Sequence, residues 1–168
     1  MPVVNDPDTL ADPFAKKIRL MQERLERDGL PFVLFETRRP FSRQRGLFLQ
    51  GRVLKNGRFV KVGKTVTNAD AGQSPHQWGL AADFVLDVKS AWWGGQKPTG
   101  AWDTGSNDRP LPKLAWEKLG RVAKETGLIW GGSWATFKDL PHVEMPEWRA
   151  YRPKDWQSHV EKEILAGH

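Results

Sequence analysis

The sequence contains no cysteine among its 168 residues, which excludes disulfides, thiolate metal ligands and a cysteine nucleophile. It has no apolar run near the roughly 20 residues that a membrane-spanning helix needs, so no membrane insertion is expected. Its first residues, Met1-Pro2-Val3-Val4-Asn5-Asp6, lack the basic and apolar regions of a signal peptide. Internal repeats and a domain-sized linker are also missing. The densest basic cluster, Arg38, Arg39, Arg43, Arg45 and Arg52, is interrupted by apolar and polar residues, which speaks against a nucleic-acid-binding face.

What is present describes a single globular domain. Hydrophobic residues make up 39% and charged residues 27%, and the length is enough to bury a real core. The net charge of +6 suits an acidic partner such as nucleic acid, anionic lipid or a bacterial envelope, and equally suits a merely solvated basic surface. Nine tryptophans stand out, and Trp92-Trp93 lies among Gly94, Gly95, Pro98 and Gly100. Tryptophans on such loops can line pockets, although some must belong to the core.

Residues 1–11 read as a loose N-terminal arm. Asp12-Pro13 then reads as an N-cap with proline in the first helical position, and Phe14, Ile18, Met21 and Leu25 recur at helical spacing up to a stop at Gly29. The apolar run 32–35 predicts a buried strand that delivers Glu36-Thr37-Arg38-Arg39 to its end, followed by a short helix over 42–50. Asn56-Gly57 between two apolar-basic runs is a hairpin signal. Residues 80–86 predict a strand with Ala81, Asp83 and Val85 on one face and Ala82, Phe84 and Leu86 on the other. Residues 89–110 form a long Gly/Pro/Trp-rich loop of the kind that is usually functional. A helix over 111–126 is expected to turn Leu114, Leu119 and Val122 inward and to end at Gly127. Ile129-Trp130-Gly131-Gly132 and Trp134 read as a turn, residues 142–145 as a last strand and residues 152–166 as an amphipathic helix. The pattern predicts an α+β fold: a small, mainly antiparallel sheet with helices packed on the face away from the site.

The chemistry is concentrated in two stretches, Ser74-Pro75-His76-Gln77-Trp78-Gly79-Leu80-Ala81-Ala82-Asp83 and Asp139-Leu140-Pro141-His142. His76, Asp83 and His142 are two imidazoles and a carboxylate, a set of three ligands that leaves a fourth metal position open, as catalytic zinc sites do. Asp139 is a spare carboxylate three residues before His142 and is placed to act as general base. Glu144 shares a strand face with His142 and reads either as a partner of the ligand or as an edge carboxylate paired with an arginine. Gly79, Ala81 and Ala82 leave room for a close approach beside Asp83. Each spacing taken alone is weak. Satisfied structural residues and a metal site remain equally open on the residues alone.

Set side by side, Ser-x-His-x2-Gly-x-Ala-x-Asp and Asp-x2-His resemble the zinc peptidases that include the D-Ala-D-Ala carboxypeptidases and dipeptidases, and most of all the L-alanyl-D-glutamate peptidases that serve as bacteriophage endolysins. The resemblance extends from Glu36-Thr37 through Arg39, Gln44 and Gln50-Gly51-Arg52 to Trp130-Gly131-Gly132 and Pro141-His142-Val143-Glu144. It implies one zinc ion held by His76, Asp83 and His142, with Asp139 as base and proton shuttle and Arg39 stabilising the oxyanion. Ser74, Trp78 and Gln44 would contribute to substrate binding. The chain departs from the pattern at Arg38, where an aromatic residue is expected, and in a longer segment over 92–108. The implied function is zinc-dependent hydrolysis of peptidoglycan stem peptides by a monomeric phage or prophage lysis enzyme, at the L-alanyl-D-glutamate bond. Such an enzyme would be made in the host cytoplasm without a signal peptide and reach the wall after holin-type release, with no separate wall-binding domain. The alternatives are a D-Ala-D-Ala carboxypeptidase and, from another class, a non-catalytic wall-binding module.

Overall fold

Helix α1 (Asp12–Arg27) places Phe14, Ile18, Met21 and Leu25 on one stripe, and all four are buried. Full burial of side chains of this size contributes roughly 1.5–3 kcal/mol each, so the stripe anchors the helix. The N-cap is Ala11, which makes no side-chain cap, and not Asp12 as expected. Asp12 instead pairs with Lys16 one turn on, at 2.9 Å. Gly29, at φ 62°, ends the helix in the left-handed conformation that glycine adopts without cost.

The computed structural model describes residues 3–166, so Met1 and Pro2 of the expected arm lie outside the described residues. The rest of that arm is not loose. Residues Pro7–Thr9 form a 3-10 turn and Leu10 enters the core. Val4 O accepts hydrogen bonds from Thr37 N at 2.6 Å and Thr37 Oγ1 at 3.0 Å. These bonds tie the arm to the end of strand β1 (Phe32–Glu36).

The main sheet is antiparallel throughout, in the order β1-β4-β6-β5, with β4 at Ala81–Leu86, β5 at Ile129–Trp130 and β6 at His142–Glu144. Ala82, Phe84 and Leu86 of β4 and Val143 of β6 face the core formed with α1 and with α3 (Pro110–Glu125). The opposite parity, Asp83 on β4 and His142 and Glu144 on β6, faces the site. The α+β architecture expected from the pattern is therefore present, with the metal-ligand face and the helix face on opposite sides of one sheet.

Four local expectations are corrected. Strand β1 is an edge strand, so Val33 is exposed and the run 32–35 is only half buried. Leu114 points to solvent, and the inner face of α3 is made instead by Ala115, Trp116, Leu119, Val122 and Ala123. Ile129-Trp130 is a short strand paired with β6 rather than part of a turn. The last helix, α4, begins at Trp156 and runs to Leu165, after a 3-10 turn at Trp148–Tyr151.

Helix α2 (Phe41–Leu49) leads into a hairpin of β2 (Arg52–Lys55) and β3 (Arg58–Lys61), turned at Asn56 (φ 49°) and Gly57 (φ 74°). Two successive positive φ values are what a type I′ turn requires, as the Asn-Gly pair predicts. Residues 89–109 do not wall the site. Trp93 is buried in the core and donates from Nε1 to Asp87 O at 2.8 Å, and Trp116 reaches back to Asp103 O at 2.8 Å.

Candidate metal centre

Three elements converge on one point. Strand pairing puts Asp83 and His142 directly opposite each other across β4 and β6. His76 comes from a 3-10 turn, Pro75–Trp78, which opens with a capping box: Ser74 Oγ accepts from His76 N at 3.4 Å and Gln77 Oε1 accepts from Ser74 N at 3.1 Å. The turn ends at Gly79 (φ 66°), where a Cβ would lie 2.8 Å from Ala11 N. The close approach expected beside this glycine is thus made by the protein's own backbone.

His76 Nδ1 lies 2.8 Å from Thr37 O. A carbonyl oxygen can only accept, so Nδ1 carries the proton and the lone pair of Nε2 faces the site. That Nε2 is 3.3 Å from His142 Nδ1 and 3.2 Å from Asp83 Oδ1. His142 Nδ1 is also 3.2 Å from Asp83 Oδ1, while its Nε2 is held from behind by Glu144 Oε2 at 3.1 Å. One ligand atom from each of His76, Asp83 and His142 lies within 4.8 Å of the others. Two imidazole nitrogens and one carboxylate oxygen, each ring braced through its far nitrogen, fit a divalent cation of zinc's preference, with a side left open to a cavity.

The charges around this point are uneven. Burial opposes ionisation of Asp83, yet the imidazoles of His76 and His142 hold its carboxyl well below the usual carboxylate range. Burial likewise disfavours charge on His142, but its hydrogen bonds to Asp83 and Glu144 outweigh this and push its pKa up to about 10. Asp139 behaves in the opposite way to Asp83. Burial raises its pKa and the neighbouring Asp83 adds to the rise, against the pull of His142. Two carboxyls beside the same histidine are thus driven apart, one held as an anion and the other made easier to protonate.

Arg39 connects the centre to a second buried carboxylate. Its Nε donates to Glu36 Oε2 at 3.0 Å, its Nη1 to Gln44 Oε1 at 2.9 Å and its Nη2 to Asp83 Oδ2 at 3.2 Å, with a further Nη2 contact to Glu36. Arg43 Nε closes the other side of Glu36 at 2.8 Å. Burial works against charge on Glu36, and these two guanidinium groups lower its pKa all the same. Arg38 is exposed, so the arginine that enters the site is Arg39.

A cavity of about 460 Å³ opens on this centre, and Arg39, Ser74, His76, Asp83, Asp139, His142 and Glu144 all line it. Ser74 reaches the cavity wall while its hydroxyl caps the His76 turn. Gln44 and Trp78 do not reach the cavity. Gln44 is fully buried and braces Arg39 and Gln77, and Trp78 packs on Phe41 at 5.2 Å and donates to Gly72 O at 3.2 Å. Asp139 is set by Gly131: its N donates to Gly131 O at 3.1 Å, and a Cβ on Gly131 would lie 2.5 Å from Asp139 O.

Three contributors are assigned no role from the sequence. Glu36 is placed at a strand end and at the start of the resemblance without a function, Thr37 acts through its main-chain carbonyl and so leaves no side-chain signal, and Trp134 packs at a tilt with its ring centroid 5.2 Å from that of His142.

Residues 8–102 match a family model, VanY, described as D-alanyl-D-alanine carboxypeptidase, and residues 67–145 match a second model of the same description. The chain belongs to this D-alanyl-D-alanine carboxypeptidase family. The VanY-family chain is 38% identical over 119 residues to the peptidoglycan L-alanyl-D-glutamate endopeptidase CwlK of Bacillus subtilis (strain 168). That match spans 70% of this chain and 62%, less than two thirds, of CwlK. Among solved structures, VanYB in complex with D-alanine-D-alanine has a TM-score of 0.54 at 13% identity, covering 93% of this chain and 82% of its own. A variant of the VanB-type VanY pentapeptidase in complex with Zn(II) has a TM-score of 0.53 at 15% identity, covering 92% and 83%. At that identity the two structures establish a shared fold.

Proposed function

We propose that this VanY-family chain is a zinc-dependent peptidase that hydrolyses peptidoglycan stem peptides at the L-alanyl-D-glutamate bond. The observation that carries the reading is the convergence of His76 Nε2, Asp83 Oδ1 and His142 Nδ1 beside a cavity that also presents Asp139. Identity of 38% to CwlK favours the L-alanyl-D-glutamate bond.

His76, Asp83 and His142 would hold the ion, with Thr37 O and Glu144 fixing the two rings. A zinc ion held there supplies Lewis acidity, which polarises a carbonyl and makes water a nucleophile near neutral pH. Asp139, with its raised pKa, takes the proton of the attacking water and returns it to the leaving amine. Arg39 spends four of the guanidinium's N–H groups on Glu36, Gln44 and Asp83, which leaves one on Nη1 for the developing oxyanion. Arg39 therefore both orients Asp83 and, in this reading, stabilises the transition state. The presence of Asp139 argues against a non-catalytic binder, which has no use for a base.

The family description and the D-alanine-D-alanine complex favour a second reading, cleavage of the terminal D-alanyl-D-alanine bond. Mass spectrometry of muropeptides digested by the zinc-loaded protein separates the two. New D-glutamate N-termini support the first reading, and loss of a single D-alanine supports the second. The proposed physiological role is lysis, by a phage or prophage enzyme that acts on the wall after release from the cytoplasm. Among the described residues no helix is long and apolar enough to cross a membrane. Expression with and without a holin in a bacterial host, followed by turbidity, tests that role: lysis should require both.

A further inference from the structure

The cations that look dispersed along the sequence are gathered in the fold. Nine Lys or Arg and no Asp or Glu lie between Glu36 and Asp70. Arg39 is paired with Glu36 and Asp83, Arg43 with Glu36 and Arg45 with Asp70, and Arg52 is laid over the Phe48 ring at 4.2 Å. Five remain: the exposed Arg38 by itself, and four in the hairpin β2–β3 and the residues just after it. Lys55, Arg58, Lys61 and Lys64 are all exposed, and among the described residues none of them has an acidic partner within ion-pair distance.

The hairpin register makes this arrangement costly for the protein alone. Arg52 stands directly opposite Lys61, and Lys55 directly opposite Arg58. Like charges on directly opposed strand positions destabilise a hairpin, and here they occupy two of the four register pairs. The two pairs lie on opposite faces of the ribbon, and an anionic polymer draped around it would convert the repulsion on each face into attraction. The turn itself, Lys55-Asn56-Gly57-Arg58, is entirely polar, so the tip is unsuited to insertion into a bilayer, although Val53, Leu54, Phe59 and Val62 behind it are exposed.

The hairpin is also tied to the catalytic cavity at both ends. Leu47 of α2, just before it, and Val66, Thr67, Asn68 and Ala69, just after it, line the cavity rim. Its base is closed by Gly51 O, which accepts from Val62 N at 2.9 Å and Gly63 N at 3.2 Å. Gly51 (φ 69°) has no room for a side chain there, since a Cβ would lie 2.3 Å from Lys64 O. A polymer with one segment in the cavity would therefore pass its neighbouring segments along a fixed two-stranded ribbon that carries cations on both faces, Lys55 and Arg58 on one and Lys61 on the other.

We propose that Lys55, Arg58, Lys61 and Lys64 form a docking surface for the carboxylate-bearing peptidoglycan polymer itself, which holds stem peptides adjacent to the one being cleaved. The proposal rests on the peptidoglycan reading above: D-glutamate in each stem supplies a carboxylate, and an insoluble wall repeats it. The surface would make the protein prefer polymeric wall to isolated stem peptides without touching the reacting bond.

The test compares wild type with a variant carrying Lys55→Gln, Arg58→Gln, Lys61→Gln and Lys64→Gln. A control of equal net charge carries Lys97→Gln, Lys113→Gln, Arg121→Gln and Lys124→Gln, all exposed and none lining the cavity. Co-sedimentation with purified peptidoglycan, stripped of attached phosphate polymers, should show affinity about tenfold weaker for the hairpin variant, as expected for several exposed charge contacts. The control should bind like wild type. Amidation of the peptidoglycan carboxylates with a carbodiimide and an amine should bring wild type down to the level of the hairpin variant. Hydrolysis of a soluble stem peptide should be the same for all three proteins. The proposal is overturned if the control loses as much affinity as the hairpin variant, or if the loss appears only on walls that retain phosphate polymers. It is overturned as well if phosphatidylglycerol vesicles compete for the hairpin at the wall-binding concentration. Failure of every protein to cleave the soluble peptide would instead count against the peptidase reading, and the sedimentation result would still decide the docking surface.

Discussion

His76 donates from Nδ1 to the main-chain carbonyl of Thr37 across 2.8 Å, and this bond decides which nitrogen of the ring faces Asp83. Thr37 is itself fixed by Val4 O and by Thr9 Oγ1 at 2.9 Å. The N-terminal segment thereby orients a proposed metal ligand that follows it by some seventy residues in the chain. A ring braced in this way needs little reorganisation to present Nε2, which is how an outer hydrogen bond raises metal affinity.

The two aspartates should separate cleanly. Asp83→Asn keeps the shape but removes the anion that a dication beside two imidazoles requires, so zinc content should fall and the melting temperature with it, and excess zinc should restore part of both. Asp139→Asn should keep zinc content and melting temperature near wild type while turnover drops by roughly 10²–10⁴-fold, the usual loss of a general base. Metal analysis, a melting curve and one turnover assay on each variant are sufficient. A zinc-free Asp139→Asn beside a zinc-loaded Asp83→Asn would reverse the assignment.

Arg39→Lys retains a charge but cannot span Glu36, Gln44 and Asp83 at once, because an ammonium lacks the planar fork. Turnover should fall sharply with zinc content largely retained, whereas Arg38→Lys, at an exposed position, should change neither. Glu36→Gln leaves two guanidinium groups beside a neutral amide in a buried setting. Loss of one partner of a buried ion pair costs about 3–5 kcal/mol, so chemical denaturation should show this variant as the least stable of the three.

Gly131→Ala tests the seat of Asp139. The added Cβ would lie 2.5 Å from Asp139 O and 3.1 Å from His142 Cβ, so the turn must shift. Turnover should fall by about 10²-fold, as small displacements of catalytic groups do. Wild-type turnover in this variant would show that Asp139 needs no fixed position.

Asp103 organises the long loop, which does not line the cavity. Its carboxylate accepts from Thr99 N at 2.8 Å, Thr99 Oγ1 at 3.0 Å and Gly105 N at 2.9 Å, and it pairs with Arg109. Burial opposes the charge, but these donors hold the carboxyl well below its ordinary range. A depressed folded-state pKa stabilises the fold above the unfolded value of about 3.9, and the benefit is lost as pH falls through the folded value. Asp103→Asn should therefore melt several degrees lower than wild type at neutral pH, with the gap closing below about pH 4. Turnover at neutral pH and permissive temperature should be unchanged, since residues 89–109 do not line the cavity.

Several features of this protein are written in the sequence because their causes are local. The apolar stripe of α1 follows from side-chain spacing on a helix, and the hairpin from the positive φ that Asn56 and Gly57 tolerate. Asp83 and His142 could be placed on strands by period-two alternation, and two imidazoles with a carboxylate suggest a metal by their chemistry alone. Other features depend on what lies across space. The exposure of Val33 and Leu114 depends on which strand ends the sheet and which face of α3 meets α1, and hydrophobicity alone does not say. Ile129-Trp130 becomes a strand only because β6 offers it a free edge. From sequence Glu36 is placed at a strand end and at the start of the family resemblance, with no role of its own. Only the tertiary structure places it between two guanidinium groups and links it through Arg39 to Asp83, because ion pairing is decided by proximity and desolvation, which residue order does not encode.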